Sequence, residues 1–267
     1  MKDKFSGYLI VSDMDATLLC DDHSISEKNR KAIEYFIQHG GYFSVATGRM
    51  VEAVRSYMPP LNINAPAILH NGAKIYDFSA DKTLFEKSIE EERKQAIKRV
   101  YNDFPDVGLE VYSDETVYVY RKCEETKRFL TRSYEVVYDL PEEIWAKPWI
   151  KVLLIGEREL LDKREKTYRE KYDSGYAVRS GEHFLDVVAN GVSKGRGLEK
   201  LASLLKIDKD KVIAVGDNMN DISMLEAASI SYAVENGEES VKKAADHIAP
   251  SNNDDAIAYI IEQIQHK

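Results

Sequence analysis

Two carboxylates follow an apolar stretch near the start of the chain. Asp13 and Asp15 stand one residue apart after the apolar run 8–11, and Thr17 follows them. A short continuous apolar run with polar flanks predicts a strand buried on both faces, as in a parallel sheet. Residues i and i+2 of an extended chain point the same way, so the two carboxylates could share one small space. Such a pair repels unless a cation or a shared proton lies between its members, which favours a divalent metal and a nucleophile beside an acid/base.

Further polar side chains stand at the ends of later predicted strands. Thr47 follows the predicted strand 42–46, and Asp217 and Asp221 follow the predicted strand 211–215. In open parallel sheets, ligands bind outside the carboxyl ends of the strands, so these loops should converge on one edge. Three or four carboxylates at such an edge suit a hard cation that prefers oxygen ligands, and Mg²⁺ is the usual one beside phosphate.

A lysine completes the set. Lys194 opens a predicted helix that Ser193 can cap. Its compact cation and the hydroxyl of Thr47 are the groups that the oxygens of a phosphoryl group need. Each feature alone also has an ordinary structural explanation. Asp13 and Asp15 could belong to a polar turn after a strand, and Lys194 could be an exposed lysine in a first helical turn. The other segments are typical of helix entries and turns: 47–49, 71–72 and 216–221.

The elements that would position these side chains alternate between strand and helix. The strand at 8–11, a helix capped by Ser26 and ended by Gly40-Gly41, and the strand at 42–46 form a βαβ unit. Such a unit requires a parallel pair and a right-handed crossover. The sequence therefore predicts an α/β fold with a Rossmann-like, doubly wound parallel sheet.

The pattern changes near residue 80 and resumes near residue 187. Between these points strands alternate with charged amphipathic helices, as in a separate domain inserted into the first. We therefore expect a core domain made of residues 1–80 and 187–267, and an inserted α/β domain at 81–186.

Composition narrows the class of protein. The 267 residues carry a formal net charge of −9 and no basic block, which argues against nucleic acid or an anionic membrane as a partner. No apolar run approaches the roughly 18 residues of a membrane helix, and the chain opens without a signal-type apolar segment. The 2 cysteines lack metal spacing. We expect free thiols in a cytoplasmic protein.

The motifs together resemble those of a known family. In order, they are 13–18 (Asp-Met-Asp-Ala-Thr-Leu), 47–49 (Thr-Gly-Arg), Lys194 and 216–221 (Gly-Asp-Asn-Met-Asn-Asp). This chain resembles the haloacid dehalogenase (HAD) superfamily over nearly its whole length. With Asn-Gly-Ala at 71–73, it closely resembles the Cof-type sugar-phosphatase branch, which carries a large inserted cap of the C2B type. Ala16 stands where the family usually has Gly. A methyl group there costs little unless the backbone has a positive φ.

The resemblance implies a role for each matching position. Asp13 would attack phosphorus and form an aspartyl-phosphate, and Asp15 would act as acid and then as base. Mg²⁺ would be held by Asp13, the backbone carbonyl of Asp15 and Asp217, with Asp221 supporting through water. Arg49 would tie the site together or contact the substrate. The remaining implied roles are phosphate binding by Thr47, Gly48 and Lys194, and contact with the phosphate or Asp13 by Asn220.

The implied function is a Mg²⁺-dependent phosphomonoesterase that acts on a small phosphorylated metabolite, a sugar phosphate or similar. The insert would lie over the site as a cap and select the substrate. Two alternatives stay open. One is a phosphomutase of the same superfamily, which returns the phosphoryl group to a sugar. The other is a sensor of phosphorylated metabolites without catalysis. That sensor would be expected to lose a carboxylate, whereas the motif carboxylates are present.

Overall fold

The computed structural model describes residues 4–131, 134–173, 175 and 177–265. The chain folds into two compact units. The first unit consists of residues 1–49, 54–85 and 193–267. The second consists of residues 50–53 and 86–192, so it extends beyond 186 and begins at 86 rather than 81.

The strands are short and occur throughout both units. In chain order they are β1 (Leu9–Ser12), β2 (Tyr42–Val45), β3 (Ala67–Leu69), β4 (Lys74–Asp77), β5 (Lys82–Glu86), β6 (Gly108–Ser113), β7 (Thr116–Arg121), β8 (Val136–Val137), β9 (Lys151–Ile155), β10 (Ala177–Gly181), β11 (Phe184–Val188), β12 (Val212–Gly216), β13 (Ile230–Val234) and β14 (His247–Ala249).

The α-helices vary more in length than the strands. They are α1 (Glu27–Gln38), α2 (Val51–Arg55), α3 (Met58–Leu61), α4 (Glu91–Asp103), α5 (Arg158–Lys171), α6 (Lys194–Leu205), α7 (Ile222–Ala227), α8 (Glu239–Ala244) and α9 (Ala256–Gln265). Ser26 and Ser193 cap α1 and α6 through their side chains, which confirms both predicted caps.

The first unit is built on a parallel sheet of 5 strands in the order β14-β13-β12-β1-β2. Ser12 at the end of β1 pairs with Val215 of β12 on one side and with Val45 of β2 on the other. The carboxyl ends of these strands are therefore level, and the loops that follow them leave the same edge. The predicted α/β fold with a parallel central sheet is confirmed.

Helices bury the apolar side chains of this sheet. Leu9 and Val11 of β1 belong to one core cluster with Leu198 and Leu201 of α6 and Met224 of α7. Residues i and i+2 of a strand share a face, so α6 and α7 cover that face of β1. The helices α1 and α9 pack against each other elsewhere in the unit. Burial of these apolar side chains fixes α6, and with it the position of Lys194 at its first turn.

The apolar segment 66–69 contains the strand β3, which belongs to a second sheet. This sheet has 3 strands in the order β3-β4-β5. β3 runs antiparallel to β4 and meets the segment after β2 through a single parallel bridge between Ala46 and Ile68. After β3, the chain turns through His70–Gly72 and then enters β4. The turn after β3 therefore lies beside the end of β2.

The second unit has a sheet of its own, in the order β10-β11-β9-β6-β7-β8. Its strand pairs are antiparallel except for β7 with β8. The helices α4 and α5 pack on one face of this sheet, where Ile97 and Leu161 join Val111, Val152 and Val187 in a core cluster. This unit has the mixed α/β composition that the alternating pattern predicts.

Two further features of the described residues are the apolarity of the helices and the state of the cysteines. Across the ranges that the structure covers, none of the helices combines the length and the apolarity needed to cross a membrane. Cys20 and Cys123 are free thiols, both partly buried.

We predict that Gly72→Ala strongly destabilises the first unit. Gly72 has a φ of +99°, and a Cβ added there would lie 2.1 Å from the backbone oxygen of Ser193, at the start of α6. Left-handed strain and overpacking together should lower the free energy of unfolding by about 2–4 kcal/mol. Chemical denaturation monitored by circular dichroism measures this loss.

Gly7→Ala is the matched control. Gly7 also has a positive φ, +78°, but an added Cβ would meet only the flexible end of Lys211, at 3.3 Å. This variant should lose about 1 kcal/mol from backbone strain alone. Equal losses in the two variants would contradict the close packing of Gly72 against α6.

Candidate active site

A buried ammonium group joins two of the strand-end carboxylates. Nζ of Lys194 lies 2.5 Å from Oδ1 of Asp13 and 2.6 Å from Oδ1 of Asp221. The lysine side chain is fully buried. Asp13 follows β1, and Asp221 closes the turn after β12. The first residue of α6 therefore connects the two central strands of the sheet at their carboxyl ends.

The turn after β12 is held by one of these carboxylates. Oδ2 of Asp221 accepts hydrogen bonds from the backbone N–H groups of Asp217 and Asn218, both at 3.0 Å. The carboxylate of Asp217 accepts instead from the hydroxyl of Thr17, at 2.7 Å. Asp221 thus uses its oxygens to shape the turn and to bind Lys194. The carboxylate of Asp217 also lies beside that of Asp13.

Three carboxylates surround one ammonium group in this site. One carboxylate oxygen from each of Asp13, Asp217 and Asp221 lies within 4.8 Å of the others. Burial, followed by the nearby Asp221 carboxylate, raises the pKa of Asp217 to about 7. Burial also raises the pKa of Asp13 well above its ordinary value, although Lys194 opposes that rise. Burial lowers the pKa of Lys194, but the carboxylates of Asp13 and Asp221 outweigh it and the pKa is raised.

This imbalance shows what the cluster can bind. Three buried carboxylates and one ammonium group leave an excess of negative charge in a region shielded from water. Carboxylate oxygens at this spacing are the ligands of a hard divalent cation. Asp13 and Asp217 fit such an ion best, because the oxygens of Asp221 already have hydrogen-bond partners.

The carboxylate of Asp15 has a different partner from that of Asp13. Arg49 donates from Nε and Nη2 to both oxygens of Asp15, at 2.8 Å and 2.5 Å. Asp13 and Asp15 thus bind different cationic side chains, Lys194 and Arg49. The turn at Met14–Leu18, shortly after β1, is only partly helical: Asp15 is extended (φ −71°, ψ 130°) and Ala16 is left-handed (φ 55°).

Arg49 also controls the charge of Asp15. Burial raises the pKa of the Asp15 carboxyl, but the hydrogen bonds and the positive charge of Arg49 more than offset this, and the pKa is lowered. The guanidinium of Arg49 lies over the ring of Tyr57, with Cζ 5.1 Å from the ring centroid. The side chain of Asp15 stays half exposed. Asp15 is thus the accessible carboxylate of the site, and Asp13 is the buried one.

The phosphate-binding candidates from the strand ends of β2 and β12 meet through an asparagine. Thr47 accepts at its hydroxyl from the N–H of Arg49, at 3.2 Å, which leaves the hydroxyl hydrogen available for an acceptor. The carbonyl of Thr47 accepts from the N–H of Asn71, at 3.0 Å. The side chain of Asn220 donates to that of Asn71, at 3.1 Å. Asn71, which the sequence pattern assigns to an ordinary turn, therefore lies among these candidates.

Two further asparagines hold the loop after β1. The amide of Asn236 donates to the carbonyl of Ala16, at 2.8 Å, and accepts from the N–H of Asn252, at 2.9 Å. The amide of Asn252 donates to the carbonyl of Leu19, at 3.0 Å. Sequence analysis missed both residues. The available signal was their position after the last two strands of the parallel sheet, β13 and β14.

We predict that Ala16→Gly stabilises the protein. Ala16 has a φ of 55°, in the left-handed region, so the condition under which its methyl group is costly is met. Glycine should raise the free energy of unfolding by about 1 kcal/mol. Ala32→Gly, in the interior of α1, is the matched control and should lower it by about 1 kcal/mol. A destabilising Ala16→Gly in chemical denaturation would contradict the strained backbone.

Comparisons with known proteins agree with this geometry. The family model of the haloacid dehalogenase-like hydrolases matches residues 10–261. The 5-amino-6-(5-phospho-D-ribitylamino)uracil phosphatase YcsE of Bacillus subtilis is 28% identical over 257 residues, 95% of this chain and 94% of the relative. Phosphatase YwpJ of the same organism is 27% identical over 284 residues, which cover 96% of this chain and 99% of the relative.

A solved structure matches as fully. The solved structure of a haloacid dehalogenase-like hydrolase from B. subtilis has a TM-score of 0.85 and 26% identity to this chain. The match covers 96% of this chain and 99% of that protein. The match includes most of each of the three ranges of the first unit and each strand-end motif described above. This chain belongs to the haloacid dehalogenase-like hydrolase family.

Proposed function

We propose that the protein is a Mg²⁺-dependent phosphomonoesterase that hydrolyses a small phosphorylated metabolite through an aspartyl-phosphate on Asp13. The observation that carries the proposal is the buried cluster of Asp13, Asp217 and Asp221 around Lys194. It supplies a nucleophile, a cation site and a fixed positive charge within one small space. The phosphatase names of full-length relatives support the same reaction class.

The first step transfers the phosphoryl group to the protein. A carboxylate oxygen of Asp13 attacks phosphorus, and the bond from phosphorus to the ester oxygen breaks. Asp15, in its protonated form, gives its proton to the leaving alkoxide, so the product leaves as a neutral alcohol. Asp15 suits this role because its side chain is half exposed and can meet the ester oxygen.

The second step releases phosphate. Asp15, now ionised, takes a proton from a water molecule that attacks phosphorus, and the bond from phosphorus to Asp13 breaks. Arg49 favours this step, because it stabilises the ionised form of Asp15 through two hydrogen bonds. The same contact opposes protonation before the first step. Arg49 therefore positions Asp15 and also balances its acid and base forms.

The oxygens of the transferring group need donors. Lys194 contributes a buried positive charge, and Thr47 contributes a hydroxyl hydrogen. Gly48 has no side chain that could crowd these donors. A Cβ at this position would lie only 3.2 Å from Oδ1 of Asn71. Asn220 would contact the phosphoryl group as well, and its hydrogen bond to Asn71 fixes its side chain. These residues bind the phosphoryl group without regard to the alcohol that carries it.

The metal would be held by the carboxylates of Asp13 and Asp217 and the backbone carbonyl of Asp15, with Asp221 in support. When bound, Mg²⁺ neutralises the charge that otherwise opposes the approach of a carboxylate to a phosphate dianion. Burial, and then the neighbouring Asp221 carboxylate, raises the pKa of Asp217 to about 7, and a cation at this position would offset both effects.

We further propose that the inserted segment selects the substrate. All the groups assigned above belong to the first unit and are generic to phosphoryl transfer. Discrimination among phosphate esters then depends on residues of the second unit. A sugar phosphate or similar polyol phosphate is the proposed class. The uracil phosphatase YcsE, whose named substrate carries a phosphorylated ribityl chain, supports such a class.

We predict that Asp13→Asn abolishes turnover of p-nitrophenyl phosphate. The amide cannot accept a phosphoryl group as a carboxylate does, so kcat should fall by at least about 10³-fold. Asp22→Asn is the matched control. It changes an exposed carboxylate in the loop after the helical turn and should leave kcat within about twofold. Wild-type activity in a folded Asp13→Asn variant would rule out Asp13 as the nucleophile.

We also predict that removal of divalent metal stops hydrolysis and that Mg²⁺ restores it. The carboxylate excess around Asp13 should otherwise exclude a phosphate dianion. Asp217→Asn should raise the Mg²⁺ concentration needed for half-maximal activity by at least about tenfold. Undiminished activity in a chelator-treated sample, or reactivation by Zn²⁺ alone, would contradict a hard-cation site.

A further inference from the structure

The side-chain amides of Asn71 and Asn220 are buried, at 1% and 6% exposure, and share one hydrogen bond. That bond uses Nδ2 of Asn220 and Oδ1 of Asn71. Nδ2 of Asn71 and Oδ1 of Asn220 are buried as well, and neither has a hydrogen-bond partner among the described residues. Buried polar groups in proteins are nearly always paired, because an unpaired one loses its contact with water without gaining another. An unpaired N–H donor at this position therefore indicates a ligand.

The surroundings of Asn71 show what that ligand meets. A Cβ added to Gly48 would lie 3.4 Å from Nδ2 of Asn71, so the amide stands directly against the turn that carries Thr47. On the far side of the turn, Gly72 fits against the backbone of Ser193 and Lys194. The amide of Asn71 thus lies among the groups proposed above to bind phosphoryl oxygens. Those neighbours are Thr47, whose carbonyl accepts from the N–H of Asn71, and Asn220, whose side chain donates to that of Asn71.

The backbone holds the amide in this place at a cost. His70, Asn71 and Gly72 have consecutive positive φ values of 50°, 57° and 99°. Only glycine adopts this region freely, although asparagine tolerates it better than most residues. The N–H of Asn71 is fixed to the carbonyl of Thr47, and the N–H of His70 to the carbonyl of Arg49. A strained turn tied to a site in this way is typical of a functional position.

We propose that Asn71 is a further phosphate-binding residue, whose Nδ2–H donates a hydrogen bond to an oxygen of the transferring phosphoryl group. Asn220 positions this donor, because its own Nδ2 holds Oδ1 of Asn71 and turns the N–H₂ edge away from itself. The inference rests on the proposed phosphatase function and adds to it a donor that develops its full strength as charge accumulates on the phosphoryl oxygens.

The test uses two substitutions that the left-handed backbone accepts. Asn71→Asp keeps the oxygen that accepts from Asn220 but removes the donor, and Asn71→Gly removes the amide and relieves the strain. Asn62 is the matched control, because it is an exposed asparagine with a φ of 46° at the end of α3. Asn62→Asp and Asn62→Gly repeat both changes at a left-handed asparagine outside the site.

The readouts are kcat/KM for p-nitrophenyl phosphate with saturating Mg²⁺, and the affinity for orthovanadate by calorimetry. Vanadate resembles the transferring phosphoryl group with five oxygens around the central atom. Both Asn71 variants should lose about 100-fold in kcat/KM, as when one donor to a developing oxyanion is removed, and vanadate affinity should fall in parallel. Both Asn62 variants should match the wild type in each measurement.

A folded Asn71→Gly variant that keeps its kcat/KM and its vanadate affinity close to those of the wild type would overturn the proposal. This variant decides the matter if Asn71→Asp fails to fold. The proposed function fails separately, when the wild type turns over no phosphate ester. In that case, vanadate and inorganic phosphate binding by the wild type and the Asn71→Gly variant still test the donor.

Discussion

The structure of the site depends on one buried ammonium group. Lys194 lies between the carboxylates of Asp13 and Asp221 at hydrogen-bond distance from both. Transfer of these charges out of water is costly, and only short, direct contacts compensate for it. Removal of the lysine would leave these buried carboxylates without a positive charge beside them, at the ends of the neighbouring strands β1 and β12. In the proposed mechanism the same group fixes the nucleophile and later faces the phosphoryl oxygens, so stability and function would depend on one interaction.

The positive charge of Lys194 compensates only part of the negative charge of the site, and we propose a function for the excess. One ammonium group balances one carboxylate, whereas three lie within reach of one another. The proposed divalent cation would neutralise this excess charge, and hydrogen bonds already fix the loops around the cluster. Thr17 holds Asp217, Asp221 holds the turn after β12, and Asn236 holds the loop after β1. Left-handed backbone at Ala16 and at 70–72 marks the places where these loops are strained to fit.

Much of this arrangement could be predicted from sequence, because the decisive segments are strongly patterned. The continuous apolar runs of β1, β2 and β12 locate the parallel strands, and the polar residues directly after them locate the edge.

β14 and β5 were missed because they are short and largely exposed, with no apolar pattern to identify them. The separate partners of Asp13 and Asp15 were missed for a different reason. The partner of Asp15 is Arg49, which follows another strand, and no local sequence rule predicts that contact. Asn71 shows most clearly what cannot be predicted from the sequence. It belongs to a common turn dipeptide, and nothing in that dipeptide indicates an unpaired side-chain amide. Side-chain contacts of this kind depend on distances that only the folded chain defines.

The most direct test of the account is to trap the covalent intermediate. The enzyme is mixed with a phosphate ester and Mg²⁺, quenched during turnover and reduced with borohydride, which converts an aspartyl-phosphate to homoserine. Peptide mass spectrometry then locates the reduced residue. We expect homoserine at position 13 and at no other aspartate. Steady turnover with an unmodified Asp13 under conditions that trap a known aspartyl-phosphate would contradict the account.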